Sequence, residues 1–263
     1  MDIGVALVSS AWQGLLDEIA RWRDVGRTVD FWWRDDDACR PDPALARLIA
    51  LATAANVPLA LAVIPQDAQA AAFQALGSLV TLMQHGVDHN NRAGPAEKKT
   101  EFPASEPLAA ALVRLVQGRK RLEQVASGLW LPVLVPPWNR VSATELIPRL
   151  AEAGYRGLST FGPRQMPYAA PGLVMVNTHV DVIDWRGSRG FVGEDLALSQ
   201  ATRHLKARRA GSADADESTG WLTHHAVHDE AAWLFIELLL ERTRTLQAVR
   251  WRSASELFVA RSA

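Results

Sequence analysis

The sequence predicts an α/β fold of the repeating βα kind, built as one (β/α) barrel over residues 1–263. Apolar runs of strand length alternate with segments whose apolar residues recur every three or four positions, a pattern typical of strands that alternate with helices. The length suits a single barrel, and neither a linker nor an internal repeat divides the chain. We therefore expect one domain.

The elements follow from apolar periodicity and from the polar stretches between them. The predicted strands are Thr28–Arg34, Pro58–Ile64, Leu79–Gln84, Trp130–Val135, Gly157–Thr160, Val174–Ile183, Gly220–Thr223 and Ala248–Arg252. The predicted helices are Ala44–Ala54, Ser105–Val125, one that begins with a capping pattern at Ser142, and one after Asp229. The expected loops are Asn90–Pro107 and Ala207–Thr219.

Composition and charge restrict the possible partners. The net charge of −1 and the pI near 6.7 argue against nucleic acid, because phosphate binding normally requires a basic face. A single cysteine, Cys39, excludes an internal disulfide and is compatible with a reducing compartment. No signal-peptide pattern is present, and no apolar stretch approaches the roughly 20 residues that a membrane span needs. The sequence predicts a cytoplasmic protein and leaves its oligomeric state open.

Polar residues follow five of the predicted strands. Because the carboxyl ends of barrel strands meet at one mouth, where catalytic groups gather, we expect these clusters to converge there. The clusters are Asp35-Asp36-Asp37, His85 with His89, Pro136 to Arg140, Asp181 to Trp185, and Thr223 to His225.

The aspartate triplet and the histidine pair together predict a metal site. Ionised carboxylates this close repel one another, and a divalent cation is the simplest counter-charge. His85 and His89 supply nitrogens of the kind that zinc prefers, and one carboxylate with two imidazoles leaves open coordination positions for catalysis. Separately, the triplet could cap a turn and the histidines could be surface residues. Their combination indicates a hydrolase in which a second carboxylate and a further histidine move protons.

In type and order, these motifs resemble those of the polysaccharide deacetylase family, metal-dependent N- and O-deacetylases on a distorted (β/α) barrel of seven or eight strands. That family has Thr-Phe-Asp-Asp-Gly, His-x-x-x-His, Arg-x-Pro, an aspartate followed by tryptophan, and Leu-x-His. The counterparts here extend from about the first predicted strand to the last. The resemblance implies that Asp36 is the base, that Asp37, His85 and His89 bind the metal, that His224 is the general acid and that Asp184 orients it.

The chain departs from this pattern at three places. Val135 stands where the family has an arginine that contacts the base, although Arg140 could reach in from nearby. Gly86 replaces the serine or threonine that follows the first histidine, and Ala38 replaces the glycine of the first motif.

The register within the triplet and the substrate contacts follow from the same alignment. A shift of one residue would make Asp35 the base and Asp36 the ligand, but aligning Ala38 with the small residue of the motif favours Asp36 and Asp37. Which of His224 and His225 is the acid stays open. The predicted substrate contacts are Pro137, Trp138, Trp185 and His225, with the two tryptophans as apolar walls for a sugar ring or an acetyl methyl group.

The sequence thus predicts a hydrolase that holds a divalent metal, with zinc expected, and removes an acetyl group from an N- or O-acetylated carbohydrate. One alternative is a related barrel hydrolase that acts on another C–N bond or on a glycosidic bond; a glycosidase would use two carboxylates without a metal. The other is a carbohydrate-binding relative without catalysis, which Val135 at the arginine position keeps open.

Overall fold

The computed structural model describes residues 9–74, 76–126 and 128–259, which form an α/β fold around one sheet. The strands are β1 (Val29–Ala38), β2 (Leu59–Val63), β3 (Val80–His85), β4 (Trp130–Val135), β5 (Gly157–Leu158), β6 (Tyr168–Ala170), β7 (Leu173–Met175), β8 (Val180–Asp181), β9 (Thr219–Thr223) and β10 (Val249–Trp251). The helices are α1 (Ser10–Asp24), α2 (Pro43–Ala55), α3 (Leu108–Val125), α4 (Leu146–Arg149), α5 (Glu194–Ala210), α6 (Glu230–Thr243) and α7 (Ala254–Leu257). None of these helices has the length and apolar character that a membrane span requires.

The sheet forms a distorted barrel. Its strand order is β6-β7-β5-β4-β3-β2-β1-β9-β8, with β10 beside the start of β1, and every pair is parallel except β6 with β7. Residues 173–181, which we call the closing segment, contain β7 and β8 and change partner between them. After β7 pairs with β5, Thr178 donates to the Thr160 carbonyl at 3.1 Å; His179 then donates to the Gly220 carbonyl at 2.7 Å, where β8 joins β9. The closing segment therefore has backbone contacts at both ends of the parallel sheet, and the predicted α/β fold is confirmed.

Side chains along β1 alternate between the barrel interior and the surrounding helices, as successive residues of a strand do. Trp32 packs inside the barrel with Val135, whereas Trp33 belongs to the core between the sheet and the helices. Arg34 and Asp36 continue the interior row toward the carboxyl end of the strand. The interior is thus apolar around Trp32 and charged at the carboxyl end.

Local sequence signals determine where the two helices beside the site begin. Asp42 caps α2 by accepting the N–H of Leu45 at 2.9 Å, and Pro43 occupies the first helical position. Asp229 caps α6 in the same way and accepts the N–H of Ala232 at 2.8 Å. Both helices therefore start shortly after the strands, β1 and β9, whose ends carry the site.

Four expectations about elements are wrong. β1 continues to Ala38, so the aspartate triplet lies within the strand and not after it. The predicted strand Val174–Ile183 is divided because the closing segment changes partner. The predicted loop Ala207–Thr219 begins inside α5, a helix without a clear apolar stripe because polar side chains form part of its buried face. The segment after Ser142 forms only the short α4, whose N-cap Glu145 makes no side-chain capping bond.

Candidate active site

The predicted metal ligands lie together at the carboxyl end of the barrel. Asp37 Oδ1 is 3.1 Å from His85 Nε2 and 3.3 Å from His89 Nε2, and the three ligand atoms all lie within 4.8 Å of one another. Asp37 reaches this position because the pairing of β1 with β2 shifts register between Asp35 and Ala38, and because φ at Asp37 is 73°. Such a bulge re-aims a side chain and is common beside active sites.

Val135 fixes the orientation of His85. The Val135 carbonyl oxygen lies 3.0 Å from His85 Nδ1, which places a ring proton on that nitrogen and directs Nε2 toward Asp37. Burial would raise the pKa of Asp37 and lower that of His85. The pKa of Asp37 is nevertheless lowered, because of its contact with His85. The pKa of His85 is raised, because the charges of Asp36 and Asp37 outweigh its burial. The site therefore favours a positive charge between these side chains.

Glu101, a fully buried residue of the predicted loop Asn90–Pro107, shapes the turn between the two histidines. Its carboxylate accepts the backbone N–H groups of Val87 at 3.0 Å and Asp88 at 3.3 Å. Gly86 has φ +57°, and a Cβ at this position would collide with the Glu101 carboxylate and with the ring of Pro137. This turn thus lies too close to its neighbours for the serine or threonine of the related motif.

The three ligands fit a divalent cation. Asp37 Oδ1 is buried and has no hydrogen-bond partner among the described residues. Nε2 of His85 and Nε2 of His89 both face this oxygen. One carboxylate and two imidazoles form the mixed oxygen and nitrogen set that zinc and similar metals accept.

Asp36 faces the barrel interior beside the ligands and is held by Arg34. The guanidinium donates to both carboxylate oxygens, at 2.9 and 3.0 Å, and neither side chain is more than 2% exposed. Arg34 also donates to the Ser159 hydroxyl at 2.7 Å and to the Asn139 side-chain oxygen at 2.6 Å. The sequence analysis did not predict Arg34 as the partner of Asp36. Residues two apart on a strand share a face, so the spacing of Arg34 and Asp36 does indicate this contact.

Arg140, the expected arginine partner of the base, lies elsewhere. Its guanidinium donates to the Lys99 carbonyl at 2.6 Å, and its own carbonyl accepts the Thr100 hydroxyl at 2.9 Å. Arg140 therefore connects the loop after β4 to the predicted loop Asn90–Pro107. The expectation for Arg140 is wrong, because Arg34 on β1 already occupies both oxygens of Asp36.

His224 lies between Asp36 and Asp181. Its Nε2 is 4.0 Å from Asp36 Oδ2, and its Nδ1 is 3.8 Å from Asp181 Oδ1. Asp181 also accepts the indole N–H of Trp185 at 2.8 Å, and the Trp185 ring lies edge-on to His224 at 4.7 Å. Asp184, the predicted orienting residue, instead accepts three backbone N–H groups of the turn that follows it. The placement predicted for Asp184 is therefore wrong, and Asp181 is the carboxylate beside His224.

The predicted substrate contacts fall into two groups. Trp138 and Trp185 line the mouth: the Trp138 ring packs on a ligand histidine at 4.6 Å, and Trp185 is 40% exposed. Pro137 and His225 are buried. Pro137 packs against the loop between the ligand histidines, and His225 forms hydrogen bonds with Asp35 on the outer face of β1. The structure therefore does not place Pro137 and His225 where a substrate could contact them.

A second group of buried side chains, His179, His204 and Glu217, could by composition hold a metal. Burial lowers the pKa of His179 well below its usual value, so its ring is neutral. The Gly220 N–H donates to His179 Nδ1 at 3.0 Å, which leaves the ring proton on Nε2, 3.2 Å from the Glu217 carboxylate. A protonated Nε2 has no free lone pair for a metal. These side chains form a buried polar cluster, and His179 belongs to the closing segment.

Comparison with known proteins shows the fold. No family model and no curated protein match the chain. A Mycobacterium smegmatis protein described as a polysaccharide deacetylase is 17% identical, with a TM-score of 0.62 over 89% of this chain and 90% of that one. A peptidoglycan deacetylase from Bacillus subtilis is 13% identical, with a TM-score of 0.52 over 88% of this chain and 90% of the other. A deacetylase named T48, solved with substrate, is 15% identical, with a TM-score of 0.52 over 88% and 91% of the two chains.

Proposed function

We propose that this chain, which has the fold of the polysaccharide deacetylases, is a metal-dependent hydrolase that removes an acetyl group from an N- or O-acetylated carbohydrate. The observation that supports this most is the separation of roles at the barrel mouth. Asp37 faces two imidazoles, while a different carboxylate, Asp36, and a further histidine, His224, lie beside them. A hydrolase of this kind needs these three components.

Each side chain has a task in the proposed reaction. Bound by Asp37 and the two histidines, a divalent cation would supply a Lewis acid that activates water and polarises the acyl carbonyl. Asp36 accepts the proton of the attacking water, and the two hydrogen bonds from Arg34 hold its oxygens in place. His224 donates a proton from Nε2 to the departing nitrogen or oxygen, and Asp181 lies beside Nδ1, where it orients the ring.

Arg34 favours catalysis over a role restricted to carbohydrate binding. The reason to consider a non-catalytic relative was the absence of an arginine at Val135. Arg34 makes the corresponding contact from β1, so the carboxylate has its guanidinium partner after all. Zinc as the metal and the cytoplasm as the location stay predictions from the sequence.

Metal analysis combined with acetate release from acetylated amino sugars and acetylated xylan tests the function. We expect one equivalent of divalent metal per wild-type chain. Asp36→Asn should keep that metal and release acetate at least about 100-fold more slowly, because a general base typically contributes 10²- to 10⁴-fold. His85→Gln should lose the metal, because it removes one of the three ligands.

Asp184→Asn is the matched control, since Asp184 lies in an exposed turn outside the site. It should keep both the metal and the activity. Loss of metal from Asp36→Asn would mean that Asp36, not Asp37, is the ligand. Glycosidic cleavage that persists after chelation would instead favour a metal-free glycosidase.

A further inference from the structure

Asp35 and His225 form a buried pair on the outer face of β1, behind the active site. His225 Nδ1 makes a short hydrogen bond to Asp35 Oδ1, and the two side chains are no more than 2% exposed. On its other side, His225 Nε2 lies 3.6 Å from Asp42, the residue that caps α2. Neither side chain takes part in the proposed reaction.

The second oxygen of Asp35 holds the chain on both sides of His224. Asp35 Oδ2 accepts the Thr223 hydroxyl at 2.7 Å and the backbone N–H of His225 at 3.0 Å. Thr223 and His225 are the residues immediately before and after His224. Asp35 itself lies next to Asp36 in β1. The pair therefore ties the segment that carries the histidine to the strand that carries the base.

A buried charge pair is a poor source of stability, because the cost of desolvating both groups can exceed their attraction. Apolar side chains of similar size would fill the same space between β1 and α2. The directional contacts of Asp35, by contrast, fix the position of one short turn. Positions in active sites must be held to within about 0.5 Å, which such contacts can do.

We propose that the Asp35–His225 pair positions His224 as the general acid. This role rests on the function proposed above. Asp35 and His225 lie behind the site and act only through the residues that flank His224. Their loss should therefore affect proton donation to the leaving group and spare the other parts of the site.

Two substrates with different leaving groups separate this role from general structural support. An acetamide of an amino sugar needs a proton on its departing nitrogen, whereas 4-nitrophenolate leaves without one. For Asp35→Asn and His225→Gln we expect kcat on the amide to fall about 10- to 100-fold, part of the 10²- to 10⁴-fold that a general acid contributes. Their KM on the amide, their metal content and their metal-dependent hydrolysis of 4-nitrophenyl acetate should stay within about threefold of wild type.

His224→Gln is the reference variant, because it removes the acid itself and should produce the same contrast between the two substrates. His225→Gln placed on that background should cause no further loss on the amide, since both changes then remove one function. Equal losses on both substrates, or no loss on the amide, would overturn the positioning role and leave the proposed function intact. A wild-type protein that holds metal and cleaves neither substrate would overturn the proposed function itself.

Discussion

The three adjacent aspartates have three different partners. Asp35 pairs with His225 outside the barrel, Asp36 pairs with Arg34 inside it, and Asp37 faces the two ligand histidines. Alternation along the strand separates the first two, and the bulge at Asp37 turns the third toward the mouth. Each of the three neighbouring carboxylates therefore has its own partner, and only Asp37 needs a metal ion.

Replacing Arg34 with methionine would leave Asp36 buried without its cationic partner. We expect the free energy of unfolding to fall by about 3–5 kcal/mol, the usual cost of breaking a buried ion pair from one side. Arg47→Met is the matched control, because Arg47 makes the same two-bond contact with Glu230 at the surface, where solvent screens the pair, and its loss should cost clearly less. Urea denaturation of the metal-free proteins measures both, and equal losses would contradict the burial argument.

The buried pair at His225 also makes stability depend on pH. Burial would lower the pKa of His225, but the neighbouring Asp35 carboxylate outweighs it and raises the pKa to about 9. This contribution is fully present below the usual histidine pKa of about 6.5 and is lost as the pH rises through about 9. The difference in unfolding free energy between wild type and His225→Gln should therefore shrink over that range, by at most about 3 kcal/mol. A difference that does not change from pH 6 to 10 would show that the ring is neutral throughout.

At the scale of elements, the loop between β3 and the second ligand histidine depends on Gly86. Gly86→Ala adds a Cβ that meets the Glu101 carboxylate and forces a side chain into φ +57°. We expect metal affinity to fall at least about tenfold, as when the support of a ligand is lost. Gly94→Ala is the control, because a Cβ there meets only ordinary contacts at 3.7 Å or more. Competition with a chromophoric chelator measures both affinities, and equal values would refute the role of the loop.

Apolar periodicity was sufficient to place most strands, because buried parallel strands are short apolar runs. It was insufficient where pairing with strands distant in sequence determines the structure. The last residues of β1 are charged and look like a turn, yet they continue the ladder with β2 and β9. The closing segment is one apolar run whose division depends on two neighbours distant in sequence.

At the scale of the whole molecule, motif order was enough to group the ligand residues and His224 at one end of the barrel. It could not supply their supporting partners. The family pattern has its arginine at the position of Val135 on β4, whereas Arg34 lies on β1; the pattern also has a tryptophan directly after its aspartate, which Asp184 has and Asp181 lacks. Both partners depend on which side chains share the interior once the barrel has formed.

The closing segment has a consequence for how the protein could lose activity while it keeps its metal. Asp181 belongs to β8, which has two residues paired with β9, whereas the ligands Asp37 and His85 end strands joined through longer ladders. We expect local opening to begin at this short ladder, because it has fewer hydrogen bonds to break than the longer ones. Such an opening would remove the carboxylate beside His224 while the metal stayed bound. Metal content would then overstate the fraction of molecules able to turn over.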